Sequence, residues 1–353
     1  MDLKFFKRVI SGVTLVAFFC SSVAFAYAQS LILPAPGQMI PLSAKFEPAL
    51  MVGVQVSPKD PFRFNFIISR GKTPLTDDVK KSEYQKLLKY FLVSLTVPNT
   101  DMWVNLSPYE ADRIIPDNFS LTEMGRDLLA QDYVLKQITS SLIYPEGEVG
   151  KKFWQKVYQM AFEKYGTTDI PLDTFNKVWI VPDKAVIYEK FDTALAIKSH
   201  LKVMLESDYF ALEKSHGESR PEAAAQKETQ ELSKTVVREI VIPALEKEVN
   251  EGENFALLRQ VYSSMLMATW FKKALKKSIL GQVYANKSKV AGVELDDPQA
   301  KERIYQQYLE AYKKGVFNFI KEEQDPLTQE VIPRKYFSGG AKAWAEGMIS
   351  DAA

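Results

Sequence analysis

The sequence predicts an α+β protein that is helix-rich, with an N-terminal β-hairpin and a small antiparallel meander, followed by an all-helical C-terminal part. Three observations carry this reading. Apolar residues alternate with period two over residues 50–56 and 62–68, three short β-branched and aromatic runs fall between residues 178 and 197, and long apolar stripes at three-and-four spacing occupy most of the remainder.

The hairpin rests on Leu50, Val52, Val54 and Val56, which alternate with Met51, Gly53 and Gln55, and on Phe62, Phe64, Phe66 and Ile68, which alternate with Arg63, Asn65 and Ile67. Residues 57–61 suit the connecting loop, and Pro58 and Pro61 within it cannot donate to a ladder. A helix is expected from Thr76, whose hydroxyl can cap the first turn while Asp77 and Asp78 oppose the positive end of the dipole. Tyr84, Leu87, Leu88, Phe91, Leu92 and Leu95 form its apolar stripe, and Pro98 stops it. Ser120 and Glu123 have the spacing of a capping box at the head of a helix over 121–143, and a further helix over 148–165 is closed by Gly166.

Residues 178–181, 185–188 and 194–197, separated by Pro182-Asp183 and Asp192-Thr193, predict the meander. Residues 201–212 fit a strand by Leu201, Val203 and Leu205 and a helix by Leu201, Leu205, Tyr209 and Leu212, so both states stay open there. Residues 232–249 and 255–279 predict a helical hairpin turned at Asn250-Glu251-Gly252, its first arm kinked by Pro243. Asp297 and Pro298 then open a third helix, with Ile304, Tyr308, Tyr312 and Phe319 facing inward.

The resulting organisation is a signal peptide over 1–28, a Pro-rich spacer over 29–48, a mixed α+β domain over 49–213, a polar linker over 214–231, a helical domain over 232–337 and a flexible Gly/Ala-rich tail over 338–353. The leader has a basic start at Lys4, Lys7 and Arg8, an apolar stretch over 9–19 and two small-residue cleavage patterns, with cutting expected after Ala28. Two rivals are weaker. Cys20 as a lipidation site is disfavoured by the bulky Phe18 and Phe19 before it, and an uncleaved anchor is disfavoured by the paired cleavage sites.

Composition narrows the chemistry. The formal net charge is +1, and losing Lys4, Lys7 and Arg8 with Asp2 leaves the mature chain nearly neutral, which argues against broad electrostatic capture of nucleic acid or anionic lipid, since either needs a strong basic excess on at least one face. Cys20, the one cysteine, leaves with the leader, so thiolate nucleophiles and thiolate metal sites are excluded from the mature chain. With two histidines, His200 and His216, a His-rich metal site is excluded as well; no cofactor and no metal are implied. No later apolar run has the length of a membrane span.

Four residues are candidate acid–base groups. Glu123 and Asp127 stand one helical turn apart on one face, where they could bind a divalent cation or act as paired carboxylates, although Glu123 is already accounted for by capping. His200 could serve as a general base beside a carboxylate, and Asp112 lies in a long connection rich in functional side chains. That connection, residues 98–119, also supplies the candidate binding residues Trp103, Asn105, Tyr109 and Arg113. Gly71-Lys72-Thr73 resembles the end of a phosphate-binding loop, but no glycine stands where the motif requires its first one.

The runs at residues 175–185 (FNKVWIVPDKA) and 332–340 (IPRKYFSGG) resemble segments of an uncharacterised group of exported bacterial proteins. The resemblance implies a bacterial envelope or extracellular setting and transfers no activity to any residue. With the leader, it makes a secreted or periplasmic non-catalytic binding or assembly protein the expectation, recognising an envelope or extracellular protein or glycan through the Trp103 to Arg113 region or a surface of the helical hairpin. The alternative is a secreted hydrolase working through Asp112, Glu123, Asp127 or His200. Convergence of His200 and two acidic side chains in one concave pocket, with shifted titration, would favour the hydrolase; acids scattered over caps and solvated faces would leave binding or scaffolding.

Overall fold

The structure is a computed structural model that describes residues 33–57, 60–72, 76–106, 114–168, 177–214, 227–276, 297, 299–313, 323–324, 331–332, 340–343 and 349–351. It is mixed helix and strand, an α+β arrangement with sheet built from the N-terminal strands and helices following them. β1 (Leu50–Ser57) and β2 (Asp60–Ser69) form the hairpin read from the alternation. Phe64 and Phe66 turn inward from β2 while Arg63, Asn65 and Ile67 face out. The two rings meet Phe91 of α1 (Asp77–Thr96) and Phe271 of α8 (Ala256–Lys276) edge-on, with centroids 4.8 Å apart for Phe64–Phe271 and 5.1 Å for Phe66–Phe91. This aromatic cluster fastens the hairpin to both helices.

In α1 the buried side chains are Leu87, Tyr90, Phe91, Val93 and Ser94, whereas Leu92 is exposed. The stripe is therefore rotated from the one expected, because α1 is gripped by α8 on one side and α3 (Glu123–Leu142) on another. Thr76 holds the cap position without accepting a hydrogen bond through its side chain. The cap of α3 also differs. Ser120 ends the short α2 (Asp117–Ser120), and Thr122 is the residue whose hydroxyl accepts from the Gly125 N–H, at 3.0 Å. The helix α4 (Glu148–Tyr165) ends on Gly166 at φ +70°, as read from sequence.

The β-branched runs divide between two sheets. β5 (Ala185–Lys190) and β6 (Thr193–Lys198) form a hairpin that joins β1 through β6, whereas β4 (Val178–Pro182) pairs with β7 (Leu201–Leu205) in a second sheet. Every residue of β4 is buried, the signature of a strand covered on both faces, while β5 is exposed toward its end. The ambiguous 201–212 segment is both things in turn, since β7 passes directly into α5 (Glu206–Lys214). Trp179 of β4 stacks on Tyr209 of α5 at 5.0 Å and donates to Glu206 at 3.0 Å, which fixes that change of direction.

Beyond α6 (Lys227–Val236) the backbone opens into a π segment over Val237–Val241 and then enters α7 (Ile242–Glu251). Pro243 lacks an N–H, and in a regular α-helix its ring would clash with the carbonyl four residues back; the π segment stands directly before it, where a wider turn can relieve that conflict. α7, the Asn250–Gly252 turn and α8 make the helical hairpin, and α8 lies against β1, β6, α1 and α3. In α9 (Ala300–Lys313), preceded by Asp297, Ile304 and Tyr308 are buried, and the Asp297 carboxylate accepts from the Gln299 N–H at 3.0 Å.

Two further expectations change. The Pro-rich residues 33–48, expected as a spacer free of hydrogen bonds, form a strap across α3 and the α7–α8 turn. Tyr133 donates to the Pro34 carbonyl at 2.8 Å, Gln307 to the same carbonyl at 3.1 Å, and the Ile40 N–H donates to Ser141 at 3.0 Å. Prolines remove donors but keep carbonyls, and side chains of the helices supply the missing partners. The tail, expected to fray, contributes β10 (Gly340–Lys342) and β11 (Ile349–Asp351), which pair parallel to β4 and β5. β10 also pairs antiparallel with β3 (Trp103–Val104), and a Cβ on Gly340 would overlap the Val104 carbonyl oxygen. Small side chains let β10 enter between two strands. A short β8 (Glu323–Gln324) and β9 (Val331–Ile332) pair antiparallel.

The β5–β6 connection is a two-residue turn, Phe191-Asp192, in which Phe191 takes φ +54°. Tight hairpins place glycine there because a Cβ is strained in that region. Phe191→Gly is therefore expected to raise stability by about 1 kcal/mol, read as an upward shift of the urea midpoint; a lower midpoint would contradict the strain.

Candidate functional site

The α7–α8 turn, the strap, the end of β2 and the β6–β7 turn meet around a groove of about 460 Å³. Its wall includes Lys45, Ser69, Ser199, His200, Arg259 and Tyr262. Gly71, at φ +67°, lets the chain leaving β2 pass against the strap, since a Cβ there would overlap the Glu47 carbonyl oxygen. The Lys72 N–H donates to that same oxygen at 3.0 Å, and its ammonium pairs with the Glu47 carboxylate at 2.7 Å.

Arg259 organises the groove. It lies in the first turn of α8, where a cation opposes the positive dipole end. Its guanidinium instead reaches back to the negative end of α7, donating to the carbonyls of Val249 at 2.9 Å and Gly252 at 2.7 Å, and to Phe46 of the strap at 2.9 Å. Burial pulls its pKa below the ordinary value, opposed by the charges of Glu248 and Glu251. Glu248 ties the other side of the turn, accepting from the Ser43 hydroxyl, from the Ser43 N–H at 3.0 Å and from Asn254 at 2.8 Å.

His200 stands on the wall between two carboxylates. Its Nδ1 is 3.4 Å from Asp183 and its Nε2 is 3.6 Å from Glu246, so both ring nitrogens are turned toward acids. These three residues come from the β4–β5 turn, the β6–β7 turn and α7, so the contact joins both sheets to the helical hairpin. Glu246 and Asn250 have a further task at the open edge of β7. Glu246 accepts from the Val203 N–H at 2.9 Å, while Asn250 accepts from the Leu201 N–H at 2.9 Å and donates to the Leu201 carbonyl at 2.8 Å. Helix side chains thus replace a neighbouring strand at this edge. Asn250→Ala is expected to cost about 1–3 kcal/mol through the unpaired backbone groups, and hydrogen exchange at Leu201 should accelerate; unchanged exchange would count against the edge role.

The other sequence candidates lie elsewhere. Glu123 and Asp127 are on α3, far along the chain from the groove residues, and both are held by Arg126. Asp127 is bound by its Nη2 at 2.6 Å, and Glu123 lies 3.6 Å from it and 2.8 Å from Lys89. Asp127 is buried and accepts from the Tyr90 hydroxyl. Burial pushes the Asp127 carboxyl up, against the pull of Arg126, and holds the Tyr90 phenol well above its ordinary range. The arrangement locks α1 to α3. Trp103 lies partly exposed in β3, Asn105 is fully buried, and Tyr109, Asp112 and Arg113 lie outside the described residues. Among the described residues no group of His, Cys, Asp and Glu has the arrangement of a metal site, and no helix is long and apolar enough to cross a membrane.

Sequence reading nominated His200 and the helical-hairpin surface but missed Arg259. A cation in the first turn of a helix was the available signal. No protein-family model, curated protein or solved structure matches the chain.

Proposed function

We propose that this is an exported, non-catalytic binding or assembly module of the bacterial envelope, which receives an envelope protein or glycan in the groove at the α7–α8 turn. The observation that supports this reading is the groove's lining. Lys45, Ser69, Ser199 and Tyr262 put polar groups around a concavity of about 460 Å³ whose turn is braced by Arg259 and Glu248. A preformed concavity with a few placed polar groups suits recognition. The carboxylates nominated for catalysis on α3 are engaged by Arg126, Lys89 and Tyr90.

The test is affinity capture from envelope extract with the full chain and with Ser199→Trp, which fills the groove from an exposed position. One enriched partner that disappears with Ser199→Trp is the expected result; equal capture by both proteins would remove the groove from consideration. The hydrolase reading keeps one observation in its favour, the approach of Asp183 and Glu246 to His200. Turnover of an envelope polymer that is abolished by His200→Gln, with no stable capture, would replace the binding reading with that one.

A further inference from the structure

The β5–β6 hairpin ends in an aromatic side chain that the fold holds out into solvent. Phe191 is 91% exposed, in a backbone conformation that disfavours any bulky residue. Its neighbour is turned the other way. Asp192 accepts from Gln55 at 3.4 Å and from Thr193 at 3.1 Å, and its carbonyl accepts from the Val56 N–H at 2.9 Å. The turn is thus pinned to β1 on the Asp192 side while Phe191 projects.

Behind the tip lies the outer face of the five-stranded sheet, the face opposite α8. Tyr188, Leu195, Gly53 and Ile67 stand in register across β5, β6, β1 and β2. Tyr188 and Ile67 are exposed, and Ile197, the extra residue of a β-bulge, is exposed beside them. Gly53 keeps the row flat, because a Cβ there would come within 2.6 Å of Leu195 and 2.7 Å of the Ala194 carbonyl. Among the residues whose side chains are described, the exposed charges beside this apolar strip are basic. Lys190 lies 5.9 Å from the Phe191 ring, and Lys198 and Arg63 are exposed on β6 and β2. The acids of the hairpin are engaged, Asp192 in the turn and Glu189 with the indole N–H of Trp270 at 3.1 Å.

We propose that the Phe191 tip and the outer face of β5–β6 form a peripheral docking surface for a lipid bilayer bearing anionic headgroups. A protein partner would need a pocket shaped for one protruding ring, whereas a bilayer interface accepts an isolated aromatic side chain at any lateral position. The chemistry matches in depth: the phenyl ring enters the acyl boundary, Tyr188 sits at the interface with its hydroxyl toward water, and Lys190 and Lys198 lay their aliphatic stems along the apolar face with their ammonium groups at headgroup level. The near-neutral charge of the whole chain leaves this attraction local, so the hairpin sets the orientation of the protein on the surface. The surface shares no residue with the groove wall and does not rest on its occupant.

The test is sedimentation of the chain, as the exporting cell delivers it, with phosphatidylcholine vesicles prepared with and without phosphatidylglycerol. Any retained leader acts equally in all variants. Wild type is expected to sediment with the phosphatidylglycerol vesicles, and the binding should weaken with added salt. Phe191→Gly, which relieves the turn and so preserves the fold, should reduce the partition roughly tenfold, and Lys190→Glu with Lys198→Glu should remove the preference for phosphatidylglycerol. Wild type that stays in the supernatant overturns the proposal, as does Phe191→Gly that sediments equally well. Capture of an envelope protein or glycan that depends on Phe191, with vesicle sedimentation unchanged by Phe191→Gly, also overturns it.

Discussion

Replacing Lys136 with methionine is expected to destabilise the protein by about 3–5 kcal/mol, a large part of the stability of an ordinary domain. Lys136 and Asp132 stand one turn apart on α3 with both side chains fully buried, and their charged atoms are 2.6 Å apart. The same carboxylate oxygen accepts from the Leu106 N–H at 2.6 Å, while the other oxygen of Asp132 has no hydrogen-bond partner. Removing the ammonium leaves that buried carboxylate with the Leu106 amide hydrogen bond alone among its described hydrogen bonds. The double variant Lys136→Met with Asp132→Asn removes both charges and keeps an acceptor for Leu106, so most of the loss should be recovered.

Acidity gives this experiment a second reading. Burial pushes the Asp132 carboxyl above its ordinary value, against the opposing pull of Lys136. A raised folded-state pKa means that its contribution to stability is fully present below the unfolded value near 3.8 and is lost as pH rises through the folded value. Without Lys136 the upward push is larger, so the Lys136→Met penalty should shrink as pH falls toward 4. Urea titrations at several pH values check both statements. A penalty under about 1 kcal/mol at pH 7, the size of a surface pair, would mean that the pair is solvated.

Gly150→Ala and Gly125→Ala are each expected to cost about 2–3 kcal/mol, the reverse of the roughly 1 kcal/mol gain that alanine brings to an open helix position. Gly150 is the third residue of α4, and an added Cβ would overlap the Tyr144 carbonyl oxygen and lie 2.6 Å from its carbon. Gly125 is the third residue of α3, where a Cβ would overlap the Phe119 carbonyl oxygen and approach its carbon to 2.9 Å. In both places the chain entering the helix folds back on the first turn, and the obstruction is backbone that no rotamer change can move. Thermal melts compare the variants directly; a raised midpoint for either would show that the entering segment stands farther from the helix than described.

Much of the fold was legible because local patterning carried it. The alternation through Phe64 and Phe66 located β2, the Gly166 cap ended α4, and Asn250-Glu251-Gly252 turned the helical hairpin. Less was legible where a residue has two local explanations. Ser120 and Glu123 matched a capping box, yet Thr122 is the cap because α2 consumes Ser120. Of the candidate site, His200 and the hairpin surface were readable. Arg259 was not connected to them, because its partners Val249, Gly252 and Phe46 are backbone carbonyls, which carry no side-chain signature.

By itself the sequence determined the α+β class and the periods of its elements, since side-chain spacing along one segment suffices to choose helix or strand. Tertiary structure alone decided that β4 leaves β5 for β7, that the Pro-rich arm becomes a strap and that the Gly/Ala tail is drawn between β3 and β4. Those outcomes depend on which distant groups satisfy buried amides and fill space beside small residues, and such partners are separated by as many as 273 positions in the chain. Physical closeness of that kind exists only once the chain has folded.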